Sequence, residues 1–519
     1  MATPTQKFVA ALKRLKKLQD KGMGGIYFSE IPQREYREIL VQNGFLKEVS
    51  KGWYVPSNPT ESEGDTTSWY SCYWDFCAKY LNHKYKLLWC LSADQSLLAH
   101  AGNYTVPAQL IVKSPQGNNT PTAFPHYTSM FNLKSELPQP AHLETFKGLR
   151  IYNLAAAIIY SSVGLYVKNP IDVRTAFSLI RDASELLPIL LENGHTTIAG
   201  RLAGAFRNIK RDKIADQIMA AMKQAGYDIR EEDPFVTKLD IDLSPRERSA
   251  AVNRIKLIWQ QMRQTVINDF APAPGIWEDK EAYMANVNEA YITDAYHSLS
   301  IERYKVSAEL IERVSSGLWD KSTNDENRKH KDAMAARGYF QAFGFVKQSI
   351  IEILNGANAG TQADNDHGGW YRQLFDPSVA TGILKVSDLA GYRNSQVYIG
   401  GSKHVPLSVD AMRDAMPIFF ELLANEPEAS VRAVLGHFVF VFIHPYMDGN
   451  GRMGRFLMNV MLASGGYPWT VIPVQKRSEY MKALEQASVA FDISAFSKFM
   501  AYLVSEAMNG RPVAVLPKV

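Results

Sequence analysis

Cysteine is scarce in this chain: Cys72, Cys77 and Cys90 are the only three among 519 residues, and no two stand in CxxC spacing. That excludes a disulfide-built fold and leaves a thiolate metal site without its usual ligand spacing, so three reduced, partly buried thiols are expected. An excess of one charge is lacking too. The 57 Lys and Arg residues against 53 Asp and Glu leave a net +4. That is too little over this length for the whole surface to bind nucleic acid or membrane, and any basic surface must be local. No apolar run reaches the roughly 20 residues of a membrane-spanning helix. The opening Met1-Ala2-Thr3-Pro4-Thr5-Gln6 has no basic stretch leading into an apolar one, so no signal peptide is read and the cytoplasm is the expected location. Internal repeats and low-complexity tracts are absent. What is present, 46% hydrophobic and 21% charged residues, suits a globular protein with room for about two to four domains.

The most informative segment is His444-Pro445-Tyr446-Met447-Asp448-Gly449-Asn450-Gly451-Arg452-Met453-Gly454-Arg455. Val431, Val434, Leu435, Phe438, Val441 and Phe442 precede it at helical steps of three and four, which reads as a buried helix. Phe456, Leu457, Val460 and Met461 continue a second one. The segment is therefore a loop between two helices, with Gly449-Asn450-Gly451 at the start of the second. A helix start carries unpaired N–H groups and partial positive charge, and so attracts anions. Glycines flanking Asn450 let a phosphate come close to the backbone. Arg452 and Arg455 share a helical face, where both forks can grip one polyphosphate. Asp448 is a hard oxygen ligand suited to Mg²⁺ shared with phosphate, and His444 can accept a proton near neutral pH. A GNG turn, a lone His or two arginines each have ordinary structural explanations. The full spacing points instead to transfer of a phosphoryl or nucleotidyl group onto a hydroxyl.

These residues resemble the signature of the Fic (filamentation induced by cAMP) family, H-P-F-x-[D/E]-G-N-G-R-x-x-R, with Tyr446 in place of the usual Phe. The resemblance runs from near Ala282 to Val504 and implies a mainly α-helical domain. It also implies a protein adenylyltransferase, which moves AMP from ATP to a Tyr, Thr or Ser hydroxyl of a protein, itself among the candidates. By that resemblance His444 is the general base and Asp448 holds Mg²⁺. Gly449, Asn450 and Gly451 form the anion hole, and Arg452 and Arg455 hold the β- and γ-phosphates. Related kinases of the superfamily carry Lys where this chain has Gly451, which argues for AMP transfer.

Three further segments fit the same family. Ser298-Leu299-Ser300-Ile301-Glu302 resembles its inhibitory motif, in which Glu302 would pair with Arg455 and block the γ-phosphate; Arg303 stands where the family has Gly or Asn. Gly391 to Pro406, with Val397, Tyr398 and Ile399 at its centre, reads as a β-hairpin. It resembles the flap that offers a strand edge to an extended target. Ser478 to Leu484 resembles the helix lining the nucleotide pocket, where Tyr480 would border the adenine. Removal of AMP, with Glu302 activating water, is a variant of the same chemistry.

The expected organisation is multidomain. Residues 1–57 read as two helices and then two short strands, the order of a winged helix, with Arg34, Arg37, Lys47 and Lys51 as candidates for DNA contact. Residues 58–235 read as a mixed α/β region, and together these parts resemble antitoxin-type regulators of bacterial abortive-infection systems. Residues 244–275 read as a linking helix, capped by Ser244, Pro245 and Glu247, and a Pro-rich linker. Residues 276–519 are the Fic-like part. The competing reading is an ATP-sensing, DNA-binding regulator. His444 separates the two, since a sensor needs the phosphate loop but no base. Target and oligomeric state are not legible here.

Overall fold

The computed structural model describes residues 3–61, 64–192, 194–238, 243, 247, 249–316, 327–389 and 391–517. Two compact units result. One comprises Met1–Ala250 with Tyr398–Val405; the other comprises Ala251–Val397 with Pro406–Val519. No helix among the described residues is long and apolar enough to cross a membrane.

The first unit opens with α1 (Pro4–Gln19), β1 (Ile26–Tyr27), α2 (Arg34–Gln42), β2 (Leu46–Ser50) and β3 (Trp53–Pro56). Thr3 caps α1 in a reciprocal capping box with Gln6, the pairing that satisfies two otherwise orphan N–H groups. Ala11, Leu15 and Leu18 of α1 pack with Ile26, Ile31, Leu40 and Leu46. The strands form an antiparallel sheet in the order β1-β3-β2. Val49, Trp53 and Val55 then join the next core, built on α3 (Thr67–Tyr85), through contacts such as Trp53 edge-on to Phe76. After α3 come β4 (Cys90–Leu91), α4 (Ala93–His100), β5 (Gln109–Ser114), β6 (Pro121–Phe124) and β7 (Thr128–Lys134). They make a four-stranded sheet in the order β4-β5-β7-β6, with β5 and β7 parallel. A hairpin, β8 (Leu143–Phe146) and β9 (Leu149–Tyr152), precedes six helices. These are α5 (Leu154–Tyr160), α6 (Val163–Lys168), α7 (Pro170–Leu179), α8 (Leu187–Glu192), α9 (Thr196–Asn208) and α10 (Asp212–Gln224). The mixed α/β character expected for residues 58–235 is observed.

Within its described residues the second unit is helical: α11 (Ala250–Asp269), α12 (Lys280–Ile301), α13 (Ala308–Ser315), α14 (Asn327–Leu354), α15 (Ala359–Ala380), α16 (Val409–Asn425), α17 (Ala429–Ile443), α18 (Asn450–Ala463), α19 (Arg477–Ala490) and α20 (Ser494–Met508). α17 is buried on all sides, with only Arg432 and Val441 outside the core, as a helix apolar around its whole circumference must be. The linking helix starts at Ala250; its expected cap, Ser244 and Pro245, lies outside the described residues.

One expectation is overturned. Residues 391–406 contain no β-strand, so the hairpin read around Val397, Tyr398 and Ile399 does not form. The alternation was real, but the partners of a ladder are taken elsewhere. Gln396 donates its side-chain amide to Pro406 O at 2.9 Å, and Pro406 has no N–H to return. A tight turn places Ser402 N–H on Ile399 O. Within the first unit, Lys403 O accepts from Val106 N–H at 3.1 Å.

Candidate active site

α17 ends at His444, whose φ of 57° and ψ of 62° are left-handed. This is rare for a non-glycine residue and costs roughly 1 kcal/mol. The half-buried imidazole has Nδ1 3.1 Å from Val441 O. Donation through Nδ1–H leaves the Nε2 lone pair available. Burial pushes the His444 pKa down to about 4, against the raising effect of the Val441 hydrogen bond and with a lowering contribution from Arg393. The group is neutral at pH 7, the state a base requires.

The loop is braced from within. Asn450 accepts from Tyr446 N–H at 2.9 Å and returns its amide to Tyr446 O at 2.8 Å. Its side chain thus holds the turn, and its backbone supplies the helix start. Tyr446 stacks on Tyr371 at 3.8 Å and 7°, so the exchange of Phe for Tyr keeps a buried aromatic wedge. Gly449 is the N-cap of α18 with φ of 81°, and a Cβ there would meet the Phe375 ring at 2.8 Å. Asp448 remains 70% exposed, 3.6 Å from Arg452. Arg452 is buried between Tyr304 and Phe375, 5.1 and 4.9 Å from the ring centres.

Arg455 points into the protein. Its Nε donates to Ser298 Oγ at 2.8 Å, and its Nη2 donates to Ser298 O at 3.0 Å and to Glu302 Oε1 at 2.7 Å. The pairing of Glu302 with Arg455 that the family resemblance implies is therefore present as a contact. Burial raises the Glu302 pKa, but Arg455 and Arg452 outweigh it and hold the carboxylate below its ordinary range. Arg452 Nε and Arg455 Nη1 are buried with no hydrogen-bond partner among the described residues. Glu302 caps α12. Arg303 N–H reaches Ser300 O and Tyr304 N–H reaches Leu299 O, a Schellman closure with Arg303 at the left-handed position, φ of 67°. That explains the Gly or Asn of the family pattern. Arg303 is exposed and forms no ion pair with Glu302.

Tyr480 does not lie open beside the site: it is 1% exposed, and its hydroxyl shares a 2.7 Å hydrogen bond with His437 Nε2. His437 is wholly buried, and burial pushes its pKa down to about 3. Sequence reasoning missed His437, whose only signal was a histidine two helical turns before His444. It also passed over Arg393, which donates to His444 O at 2.8 Å. Val397, Tyr398 and Ile399 share no strand, as described above. In the first unit three of the four candidate DNA contacts, Arg34, Arg37 and Lys47, are engaged. Arg37 donates to Phe28, Ile31 and Pro32 carbonyls. Arg34 pairs with Glu38 and Lys47 with Glu61.

Comparison with known proteins bears on this segment. Residues 369–462, from within α15 to near the end of α18, match the Fic/DOC family. The chain is 41% identical over 266 residues to the protein adenylyltransferase Fic of Drosophila willistoni, covering 50% of this chain and 49% of that protein. It is 40% identical over 265 residues to the same-named protein of Drosophila mojavensis, covering 50% and 48%. The chain thus spans about half the length of the curated relatives it matches. Among solved structures it is similar to a fragment of Fic-1 from C. elegans. There the TM-score is 0.37 at 17% identity, covering 67% of this chain and 97% of that one.

The cap of α12 yields a first test. Arg303→Gly removes left-handed strain worth about 1 kcal/mol without removing an ion pair. Urea unfolding followed on the second unit should give an unfolding free energy higher by about 1 kcal/mol, with the midpoint raised accordingly. An unchanged or lowered midpoint means that the Arg303 conformation carries no strain.

Proposed function

We propose that this chain is a protein adenylyltransferase, transferring AMP from ATP to a Tyr, Thr or Ser hydroxyl of a protein, and that Glu302 keeps it inactive. The observation that carries the reading is the convergence at one helix start of a neutral imidazole and two buried guanidiniums with unmatched N–H atoms. In the proposed reaction the target hydroxyl oxygen attacks the α-phosphorus of ATP. Its proton passes to His444 Nε2, and the bond to the β-phosphate oxygen breaks to release pyrophosphate. The N–H groups at the start of α18 face the phosphates, and Arg452 and Arg455 neutralise the departing charge. Asp448 fits a Mg²⁺ site: it is an exposed hard oxygen ligand, and such an ion takes its remaining ligands from phosphate and water. When bound, the ion adds charge neutralisation at the phosphates. Among the described residues no group of three His, Cys, Asp or Glu side chains could hold a metal by itself.

Inhibition follows from competition. A carboxylate on Arg455 occupies the guanidinium that a γ-phosphate would need. Such charge-assisted bonds are worth about 1.5–3 kcal/mol. Glu302→Gly should therefore raise self-labelling from α-labelled ATP by about 10- to 100-fold, and adding His444→Ala should lower it by about 10²–10⁴-fold. Labelling no faster than wild type with Glu302→Gly sinks the inhibitory role; undiminished labelling in the double variant sinks the base.

The pH dependence has a definite sign. With the His444 pKa lowered to about 4, the Glu302→Gly protein should hold its labelling rate from pH 8 down to pH 5 and lose it only near pH 4. An acid limb near 6.5 would mean an unburied histidine. The same depression makes the unfolded chain bind a proton that the folded chain refuses. Stability therefore falls as pH drops from about 6.5 towards 4, and rates must be read in brief incubations.

Residues 1–57 are read as a winged helix, on the element order and the β1-β3-β2 sheet, placed ahead of an antitoxin-like region. Because Arg34, Arg37 and Lys47 already have partners, we assign this element to protein contact. A gel shift with random duplex at low salt should show no retention. Retention that weakens steeply with salt would restore the DNA-binding alternative.

A further inference from the structure

Arg393 is 1% exposed, yet no carboxylate among the described residues pairs with it. Burying a charge without a counter-charge is expensive, and a neutral side chain would fill the space at lower cost. The guanidinium is enclosed by backbone carbonyls instead. Nε donates to His444 O at 2.8 Å and Nη1 to Ser395 O at 2.9 Å, while Nη2 donates to Leu407 O. Its own N–H donates to Pro445 O at 2.9 Å. Two of these four acceptors belong to the strained left-handed turn at His444, and the other two belong to the entry and exit of the segment 394–407. Only a rigid planar fork reaches three carbonyls set in different directions; a lysine ammonium at the end of a flexible stem does not reproduce it.

We propose that Arg393 is the positioning residue for His444: its guanidinium locks the His444–Pro445 turn to both ends of the 394–407 segment and so sets where the imidazole stands. The proposal rests on His444 acting as the base in AMP transfer. Misplacement of a reacting group by about 1 Å can cost on the order of 10²-fold in rate, which sets the expected size of the effect. The nucleotide-facing side chains Arg452 and Arg455 make no hydrogen bond or ion pair to Arg393 among the described residues, so ATP affinity should be independent of it. The charge matters separately, because Arg393 contributes to the lowered pKa of His444.

The test uses the full chain carrying Glu302→Gly, with Arg393→Lys and Arg393→Met added singly. Arg393→Lys should lower kcat for AMP transfer by about 100-fold and leave the KM for ATP within about twofold. In Arg393→Met the His444 imidazole, followed by NMR of labelled histidine, should titrate at higher pH than in the parent. If Arg393→Met fails to fold, the kcat and KM split in Arg393→Lys decides the matter. A kcat within about twofold of the parent in Arg393→Lys overturns the proposal. So does a loss of kcat accompanied by an equal rise in KM and a lowered melting point, the pattern of general structural damage. If the Glu302→Gly parent itself transfers no AMP, the adenylyltransferase reading fails. The NMR titration then still decides for or against Arg393, since an unmoved His444 resonance overturns its role.

Discussion

Arg455 carries a full positive charge at 2% exposure, and the second unit is arranged around keeping that charge satisfied. A lone buried guanidinium would be strongly destabilising. The solution is local to α12 and α18: a serine that offers both its hydroxyl and its carbonyl, and a carboxylate at the end of the same helix. Gly451 completes the arrangement, because a Cβ there would collide with the Glu302 carboxylate. The glycine thus serves the closed state as well as any phosphate that replaces Glu302. Since Glu302 is 30% exposed at its side chain while Arg455 is not, the acid is the partner free to leave. Under the proposed function the arginine would exchange one anion for another without being left bare. Inhibition and nucleotide binding then become two occupancies of one electrostatic requirement.

The helix–loop–helix that frames the site was legible in the sequence for a simple reason. Its information is local: apolar steps of three and four define α17 and α18, and a glycine marks Gly449, one of the two loop positions, with His444, where φ is positive. The pairing of Glu302 with Arg455 spans 153 residues and could not be read from spacing; it was reached through family resemblance. Arg303 shows the converse. Its departure from Gly or Asn is only a change of residue type in the sequence, whereas the structure makes it a matter of backbone conformation.

The 391–406 segment was misread because alternation signals which faces are apolar, not whether a neighbouring strand exists to accept the ladder. Arg393 was missed for a related reason. Its role is defined by four main-chain atoms at Ser395, Leu407, His444 and Pro445, and carbonyls leave no trace in residue types. Tyr480 lies on α19, but residue identity could not say which way its ring turns. Its hydroxyl meets His437 inside the core.

In the first unit the same limit applies to charge. A count of Arg34, Arg37 and Lys47 suggests a basic face, yet each cation is held by an acceptor a few residues away or in a neighbouring turn. Arg37 is the clearest case, since its guanidinium donates to the Ile31 and Pro32 carbonyls just past the short turn at Phe28–Glu30. A cation that satisfies its own backbone loses that bond if it turns to a phosphate, so the net gain from DNA is smaller than counterion release alone would give. Basic residues identify a nucleic-acid surface only where their hydrogen-bonding capacity is unspent, and in Arg37 and Lys47 part of it goes to the fold.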